Sequence, residues 1–404
     1  MKPEWPLVSI IDLQAPQKWA LNGGPFGSKL VTRDYVPFGV PVIRGINLPI
    51  DSRFHMDDFV YVSEEKADEL LPNNAHPGDV IFTQRGTLGQ VGIVPFNSPF
   101  KRFVISQSQM KMTVDITKIN PFWLFYAFRN PLTQQALINR ASSSGVPHIN
   151  LETLRQFIIA LPPYPIQQKI SAILSAYDDL IENNLRRIKI LEEMAQLLYR
   201  EWFVKFCFPR HENVPMVDSP LGKIPEGWRV TDLKNAMELC YGKSLREEDR
   251  AKGEVPVYGS SGIVGYHNEA TVRGPGIIVG RKGNVGSVHW SESDFCPIDT
   301  VYYVKTALPL TYVFYNLQGQ NFINSDAAVP GLSRKQAYAL ALLIPAQSVL
   351  SEFDRQAELI FSLISIFSQK NALIRRTRDL LLPKLISGEL DVSEMDIKAR
   401  EDLG

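Results

Sequence analysis

Two stretches of the chain carry inward-type positions at alternating spacings of four and three. The first runs Ile170, Leu174, Tyr177, Ile181, Asn184, Ile188, Leu191, Ala195, Leu198, Trp202. The second runs Phe353, Ala357, Ile360, Ile364, Phe367, Asn371, Ile374, Arg378, Leu381, Leu385. The registers are identical after a shift of 183 residues, and Arg378 is the one charged exception. Such a heptad seam predicts a long helix, about 50 Å at 1.5 Å per residue. One seam alone would suit an amphipathic helix lying on its own domain. Two matching seams in one chain predict that the helices pair with each other. Antiparallel pairing with level ends sets Ile170 against Leu385, Trp202 against Phe353 and Asn184 against Asn371, each pair of numbers summing to 555. A buried asparagine pair of this kind fixes register and lowers stability; the alternative is that both asparagines lie at a wet edge of the seam and never touch.

Ahead of each seam lies an α+β pattern, and it occurs twice. PEWPLVSIIDL near the start is echoed by PEGWRVTDL, and RGTLGQVGIV (85–94) by KGNVGSVHW (282–290). NPFWLFYAFRN (120–130) is echoed by LPLTYVFYNLQG, and GVPHINLETLRQFIIALPPYP (145–165) by AVPGLSRKQAYALALLIPAQ. The offset falls from 223 at Trp5 and Trp228 to 197 at Gly86 and Gly283, then to 183 at Pro147 and Pro330. The first copy therefore holds about 40 more residues before its proline. Runs such as DVIFTQ and GIIVGR read as short strands ending in glycine turns. The run 120–130 reads as a helix with a mostly buried face. RGTLGQVG reads as a glycine-bearing hairpin, whose tip can carry Arg85, or Arg281 and Lys282, close to a ligand. Two similar modules that differ in their globular parts suggest two different specificities.

Composition narrows the picture. A 404-residue chain that is 45% hydrophobic is expected to hold two or more soluble domains. No apolar run reads as a membrane span, and MKPEWPLVSIIDLQ is not a signal-peptide pattern. Three cysteines, Cys207, Cys240 and Cys296, stand far apart without a CxxC pair, which points to a reducing compartment and no structural zinc. The six histidines are scattered and suggest no metal site. Forty-three basic residues balance 43 acidic ones, a total that does not advertise a nucleic-acid binder. The charge is uneven, however. Residues 101–155 hold Lys101, Arg102, Lys111, Lys118, Arg129, Arg140 and Arg155 against Asp115 and Glu152, and the tail after Ser387 is acidic. A neutral total can hide a basic face.

Three motifs invite an enzymatic reading. GGPFGSKL (23–30) resembles a phosphate loop, but its glycines are too close, Ser28 separates glycine from lysine, and Leu30 replaces the hydroxyl that would reach Mg²⁺. Pro25 also removes a backbone donor. LPPYP (161–165) resembles the catalytic N-P-P-Y of adenine methyltransferases, yet Leu161 cannot accept a hydrogen bond from an amino group. Pro162 and Pro163 suit the end of a domain before a helix. Asp51, Glu64 and Lys66 have a loose nuclease spacing, but Glu64-Glu65-Lys66 suits a solvated helix start. A coiled-coil adaptor that binds only protein is the remaining alternative.

Taken together, these features resemble the specificity (S) subunit of type I restriction–modification systems. GGPFGSKL followed by PVIRGINL looks like the opening of one class of target-recognition domain. GKSLREEDR, VPVYGSSGIVGYHN and IIVGRKGNVGSVHW (242–290) look like another class. PPYPIQQKI with LIENNLRRIKILEE, and the ending LLLPKLISGELDV, look like the two helical spacers. The resemblance implies an α+β fold in which two globular recognition domains alternate with two long helices that pair as an antiparallel coiled coil. The boundaries expected are a first recognition domain over 1–163, a first spacer helix over 164–206 and a linker over 207–224. A second recognition domain follows over 225–346, then a second helix over 347–388 and an acidic tail over 389–404. It further implies a cytoplasmic, non-catalytic DNA-reading scaffold with no cofactor or metal of its own and no membrane contact. Two methyltransferase subunits, using S-adenosylmethionine to methylate adenine N6, would dock on it. Restriction subunits would add ATP- and Mg-dependent translocation and cleavage. Each domain would read one half of a split, asymmetric site in double-stranded DNA.

Arginine and lysine suit guanine in the major groove, and glutamine and asparagine suit adenine. Candidate reading residues in the first domain are Arg44, Gln84, Arg85, Lys101, Arg102, Gln107 and Gln109. In the second they are Lys243, Ser260, Ser261, Arg281, Lys282 and Asn284. The competing role for each is a surface charge or a turn-stabilising side chain.

Overall fold

A computed structural model of the protein describes residues 5–141, 147–322 and 331–398. Gly145, Val146 and residues 328–330 of the repeated motif, and Arg400, Glu401 and Asp402 of the tail, lie outside the described residues. The chain divides into two compact units, residues 1–185 with 369–404, and residues 186–368.

In the first unit, short apolar runs form an antiparallel sheet in the order Leu21–Gly23, Gln109–Met112, Val80–Thr83, Val91–Ile93. In the second unit, Met237–Tyr241, Val301–Thr306, Gly276–Gly280 and Val288–Ser291 repeat that order strand for strand. Each unit adds a second sheet that contains a parallel pair, five-stranded in the first unit and three-stranded in the second. The pair is Val40–Ile43 with Phe103–Ile105 in the first unit and Val255–Gly259 with Cys296–Pro297 in the second. Each copy of the repeat also joins its first strand to its last: Leu7–Ser9 pairs Ile158–Ala160, and Arg229–Asp232 pairs Ala341–Ile344. The sequence repeat is thus a repeat of topology. Much of the first copy's extra length forms helices Glu64–Glu69 and Pro131–Ile138 and strand Asn74–Ala75. These have no counterpart among the described residues of the second copy.

The run 120–130 gives helix Pro121–Arg129, buried along Pro121 to Phe128. Asn120 starts it, accepting a hydrogen bond from Trp123 N at 3.1 Å and so satisfying an otherwise orphaned donor. The charged triplet at Glu64 is also a helix start, capped by Ser63 Oγ, which accepts from Lys66 N at 3.1 Å.

The heptad stretches form helices Tyr164–Tyr199 and Gln347–Ile386, of 36 and 40 residues. Pro162 and Pro163 stand between strand Ile158–Ala160 and the first helix, and Pro163 O accepts from Gln167 N at 3.1 Å. In the first unit, Ile170 and Leu174 share a core with Leu382, Leu385 and Ile386. The two asparagines meet there: Asn184 Nδ2 donates to Asn371 Oδ1 at 2.8 Å, and Asn371 Nδ2 lies 3.4 Å from Ile181 O. In the second unit, Trp202 and Phe353 pack with ring centroids 6.0 Å apart, as level antiparallel ends require.

Arg378, the charge in the seam, has a partner one residue off it. Arg378 Nη1 donates to Asp178 Oδ1 at 2.5 Å, and Tyr126 OH donates to Asp178 Oδ2 at 2.6 Å. Arg53 donates to Asp179 at 2.7 Å and pairs with Glu182, tying a loop of the first globular part to the same helix.

The first helix closes in a π turn, Arg200–Val204, in which Trp202 and Phe203 are both buried. The wider turn accommodates two adjacent aromatics in one core, where Phe203 meets Tyr312 and Phe353 at 4.8 Å. The stretch expected to be a linker contains a hairpin, Met216–Ser219 with Gly222–Pro225. Helix Gln347–Ile386 has the length and composition of a membrane span, contrary to the run-length reading of the sequence. Its buried seam carries the polar residues Asn371 and Arg378 among the apolar ones.

Candidate nucleic-acid interface

In the second unit the candidate residues gather around residues 297–300. Strand Met237–Tyr241 runs into Gly242, where a Cβ would stand 2.1 Å from Ile298 O. Only glycine lets the chain pass so close, and it leads to Lys243, whose N–H donates to Pro297 O at 3.0 Å. Arg281 N and Lys282 N both donate to Thr300 O, at 2.9 and 3.1 Å. The loop beyond them turns on Gly283 and Gly286, with φ of 75° and 76°. A second turn brings Ser260, whose Oγ accepts from Asn284 N at 3.3 Å, and Ser261 is exposed beside it. Lys243, Ser260, Arg281, Lys282 and Asn284 thus share one surface.

Three neighbours at this surface, Tyr241, Tyr302 and Arg334, were not anticipated. Arg281 Nη1 donates to Asp299 O at 2.9 Å, and its guanidinium lies 5.0 Å from the Tyr241 ring and 5.8 Å from that of Tyr302. Arg334 sits 5.1 Å from the same Tyr241 ring. Burial, with the neighbouring Tyr241 hydroxyl, pushes the Tyr302 phenol up to about 12, so it stays protonated and donates to Leu332 O at 3.0 Å. The signal for Arg334 was present in the second copy of the repeat, GLSRK, where the first copy has HINLE.

The first unit builds the same frame around residues 106–109. Gly24 is the counterpart of Gly242: a Cβ there would stand 2.0 Å from Ser106 O. Gln84 N and Arg85 N both donate to Ser108 O, at 2.7 and 3.3 Å. Ser106 N donates to Ile43 O at 2.9 Å, which brings the following Arg44 to this edge. Arg85 is exposed, while Arg44 Nη2 donates to Asp58 O at 2.6 Å.

Of the other candidates in this unit, Gln107, Gln109 and Arg102 have structural partners. Gln107 Nε2 donates to Gly27 O and, at 3.0 Å, to Leu30 O. GGPFGSKL is thus a turn pinned to the loop that Gly24 crosses. Gln109 is 1% exposed, accepts from Ser106 Oγ, and keeps its own Nε2 without a partner among the described residues. Lys101 and Arg102 lie beyond the other end of strand Phe103–Ile105. Lys101 is exposed, and Arg102 pairs with Glu64 and, at 2.6 Å, with Asp68. Asp51 pairs with Arg375 at 3.3 Å, so two members of the loose nuclease set, Asp51 and Glu64, hold arginines. Gly242→Ala is expected to cost about 1–3 kcal/mol by overpacking, seen as a lower urea midpoint of the full chain. An unchanged midpoint would mean that the close crossing relaxes freely.

A duplicated frame that holds different cationic and amide side chains in its two copies has the build of a modular recognition subunit. The comparisons agree. Residues 59–193 match the family described as the type I restriction modification DNA specificity domain. The MjaIX specificity subunit of a type I restriction enzyme from Methanocaldococcus jannaschii is 22% identical over 84% of this chain and 85% of its own length. The HindI specificity subunit of Haemophilus influenzae is 20% identical over 78% of this chain and 86% of its own. The crystal structure of a type I restriction–modification S subunit from M. genitalium shares the fold, with a TM-score of 0.55 at 17% identity, over 94% of this chain and 96% of that one. Over most of its length the chain is thus similar to type I restriction–modification specificity subunits.

Proposed function

We propose that this chain reads a split, asymmetric site in double-stranded DNA and holds the catalytic subunits of a type I complex without catalysing a reaction itself. The observation that carries this reading is the shared frame with unlike side chains. Gln84 and Arg85 in one copy stand where Arg281 and Lys282 stand in the other, each pair bonded through its N–H groups to one carbonyl. One backbone solution with two side-chain chemistries suits two different half-sites. The paired helices then set the gap between them.

The helices also support two equivalent docking positions. Leu180, Ile190 and Leu197 on the first helix correspond, 183 residues on, to Leu363, Leu373 and Leu380, and all six are exposed. A row of apolar side chains outside the paired seam, present once per copy, suits two copies of one partner, the methyltransferase subunit. S-adenosylmethionine, ATP and Mg would be held by the partner subunits. LPPYP supports no catalysis here, since Leu161 offers only its backbone, which donates to Pro6 O at 2.8 Å.

The test has two arms. The purified chain with labelled S-adenosylmethionine and duplex DNA is expected to transfer no methyl group, while its DNA affinity falls steeply with salt. Co-expressed with methyltransferase subunits, it is expected to yield a methylome with one bipartite motif. Methyl transfer by the chain alone, or an unsplit motif, would overturn the proposal.

A further inference from the structure

Gln84 and Arg281 occupy one position of the shared frame. Each donates its N–H to the carbonyl of the loop beneath it, Ser108 or Thr300. Each accepts at its own carbonyl from the strand-like residue of the later motif, Ile149 N at 3.0 Å or Leu332 N at 2.7 Å. The residues that follow make matching isolated bridges, Arg85 with His148 and Lys282 with Gly331. Both backbone groups of each residue are therefore spent in the same way, and its side chain leaves the same point of the frame.

Resting on the DNA-reading function above, we infer that this position is a base-reading position in both copies, taking adenine through Gln84 in one half-site and guanine through Arg281 in the other. Glutamine matches the donor–acceptor pair of adenine N6 and N7, and the arginine fork matches guanine O6 and N7.

The surroundings of the two residues differ in the way these roles require. Arg281 is held before DNA arrives. Asp299 O takes one corner of its guanidinium at 2.9 Å, and the neighbouring rings of Tyr241 and Tyr302, 5.1 Å apart, lie together on one side of it. Arg334, 5.1 Å from the Tyr241 ring, adds a second cation to the stack. A stacked, tethered fork keeps its planar orientation and loses little freedom on pairing. The cross-strand pair Tyr241 and Tyr302 corresponds in the first copy to Gly23 and Met110, and no aromatic platform stands there. Gln84 makes no side-chain hydrogen bond among the described residues, so its amide is available to a base. Tyr241 is a positioning residue: it acts on DNA through Arg281.

The experiment is a selection from randomised duplex DNA by the complex of this chain with its methyltransferase subunits. Gln84→Arg is expected to change one base pair of one half-site from A·T to G·C and to leave the other half unchanged. Arg281→Gln is expected to make the reverse change in the other half-site. Arg281→Lys, which keeps the charge and loses the fork, should lower the guanine preference at that position roughly tenfold or more. Tyr241→Leu should weaken the same guanine preference without changing the slope of affinity against salt, and Tyr241→Phe should restore it. Variants that select the parental motif at every position, or that alter the wrong half, would overturn this inference while leaving the split-site function intact. A parent complex that selects no sequence would instead overturn the function on which it rests.

Discussion

Arg378→Ala is expected to destabilise the chain by about 3–5 kcal/mol, because it strands a buried carboxylate. The Asp178 side chain is 3% exposed and that of Arg378 6%. Without the guanidinium, Asp178 keeps the Tyr126 hydroxyl at 2.6 Å, which cannot neutralise its charge. That phenol is held well above its usual range by burial and by the neighbouring Asp178, so it remains a donor only. The companion change removes both charges. Asp178→Leu with Arg378→Leu should recover most of the loss, since a buried ion pair replaced whole by apolar groups is often neutral or stabilising. Urea unfolding of the full chain followed by tryptophan fluorescence reads both effects. A loss under about 1 kcal/mol for Arg378→Ala would show that water reaches Asp178.

The asparagine pair carries the second large expectation, with opposite sign. Asn184 is 8% exposed and Asn371 1%, and they bond to each other at 2.8 Å. Asn184→Leu alone leaves the Asn371 oxygen without its partner and should cost about 1–3 kcal/mol. Asn184→Leu with Asn371→Leu fills the layer with apolar surface and should raise stability by about 2 kcal/mol. The same double change removes the layer that forbids slippage. One heptad of slip is about 10 Å along the helix, close to three base pairs of DNA at 3.4 Å each. The double variant, assembled with methyltransferase subunits, should therefore modify sites whose half-site spacing departs from the parental one. A methylome with the parental spacing alone would show that register is set elsewhere.

What was legible in the sequence follows from the range of the forces involved. Heptad spacing is a local property, so the seams, their shared register and the meeting of Asn184 with Asn371 could be read from residue numbers. Gly24 and Gly242 stood in motifs read as two different classes, and their equivalence, with the carbonyls they cross, becomes visible only in the folded sheets. Side-chain commitments were not legible. Gln107 and Arg102 have the chemistry of base readers, yet one pins the turn at Gly27 and the other pairs with Glu64 and Asp68. Their partners lie far off in sequence, and no periodicity announces them. The π turn at Arg200–Val204 was likewise hidden, because it answers the packing of Trp202 and Phe203 rather than a local preference. Arg378 looked like an interruption because its partner, Asp178, sits one place off the seam.

That ion pair also distinguishes the two helices from each other. By the repeat, Asp178 corresponds to Phe361 and Arg378 to Ala195, and both counterparts are buried apolar residues. Two first helices from different chains, joined in the same antiparallel register, would set Asp178 against Ala195. Two second helices would set Arg378 against Phe361. Either like-with-like pair buries a lone charge, a cost of several kcal/mol that the pairing within one chain avoids. The duplicated helices are therefore similar enough to share a register and different enough to tell self from sibling. Between copies of this chain, that difference disfavours the pairing of two first helices or of two second helices.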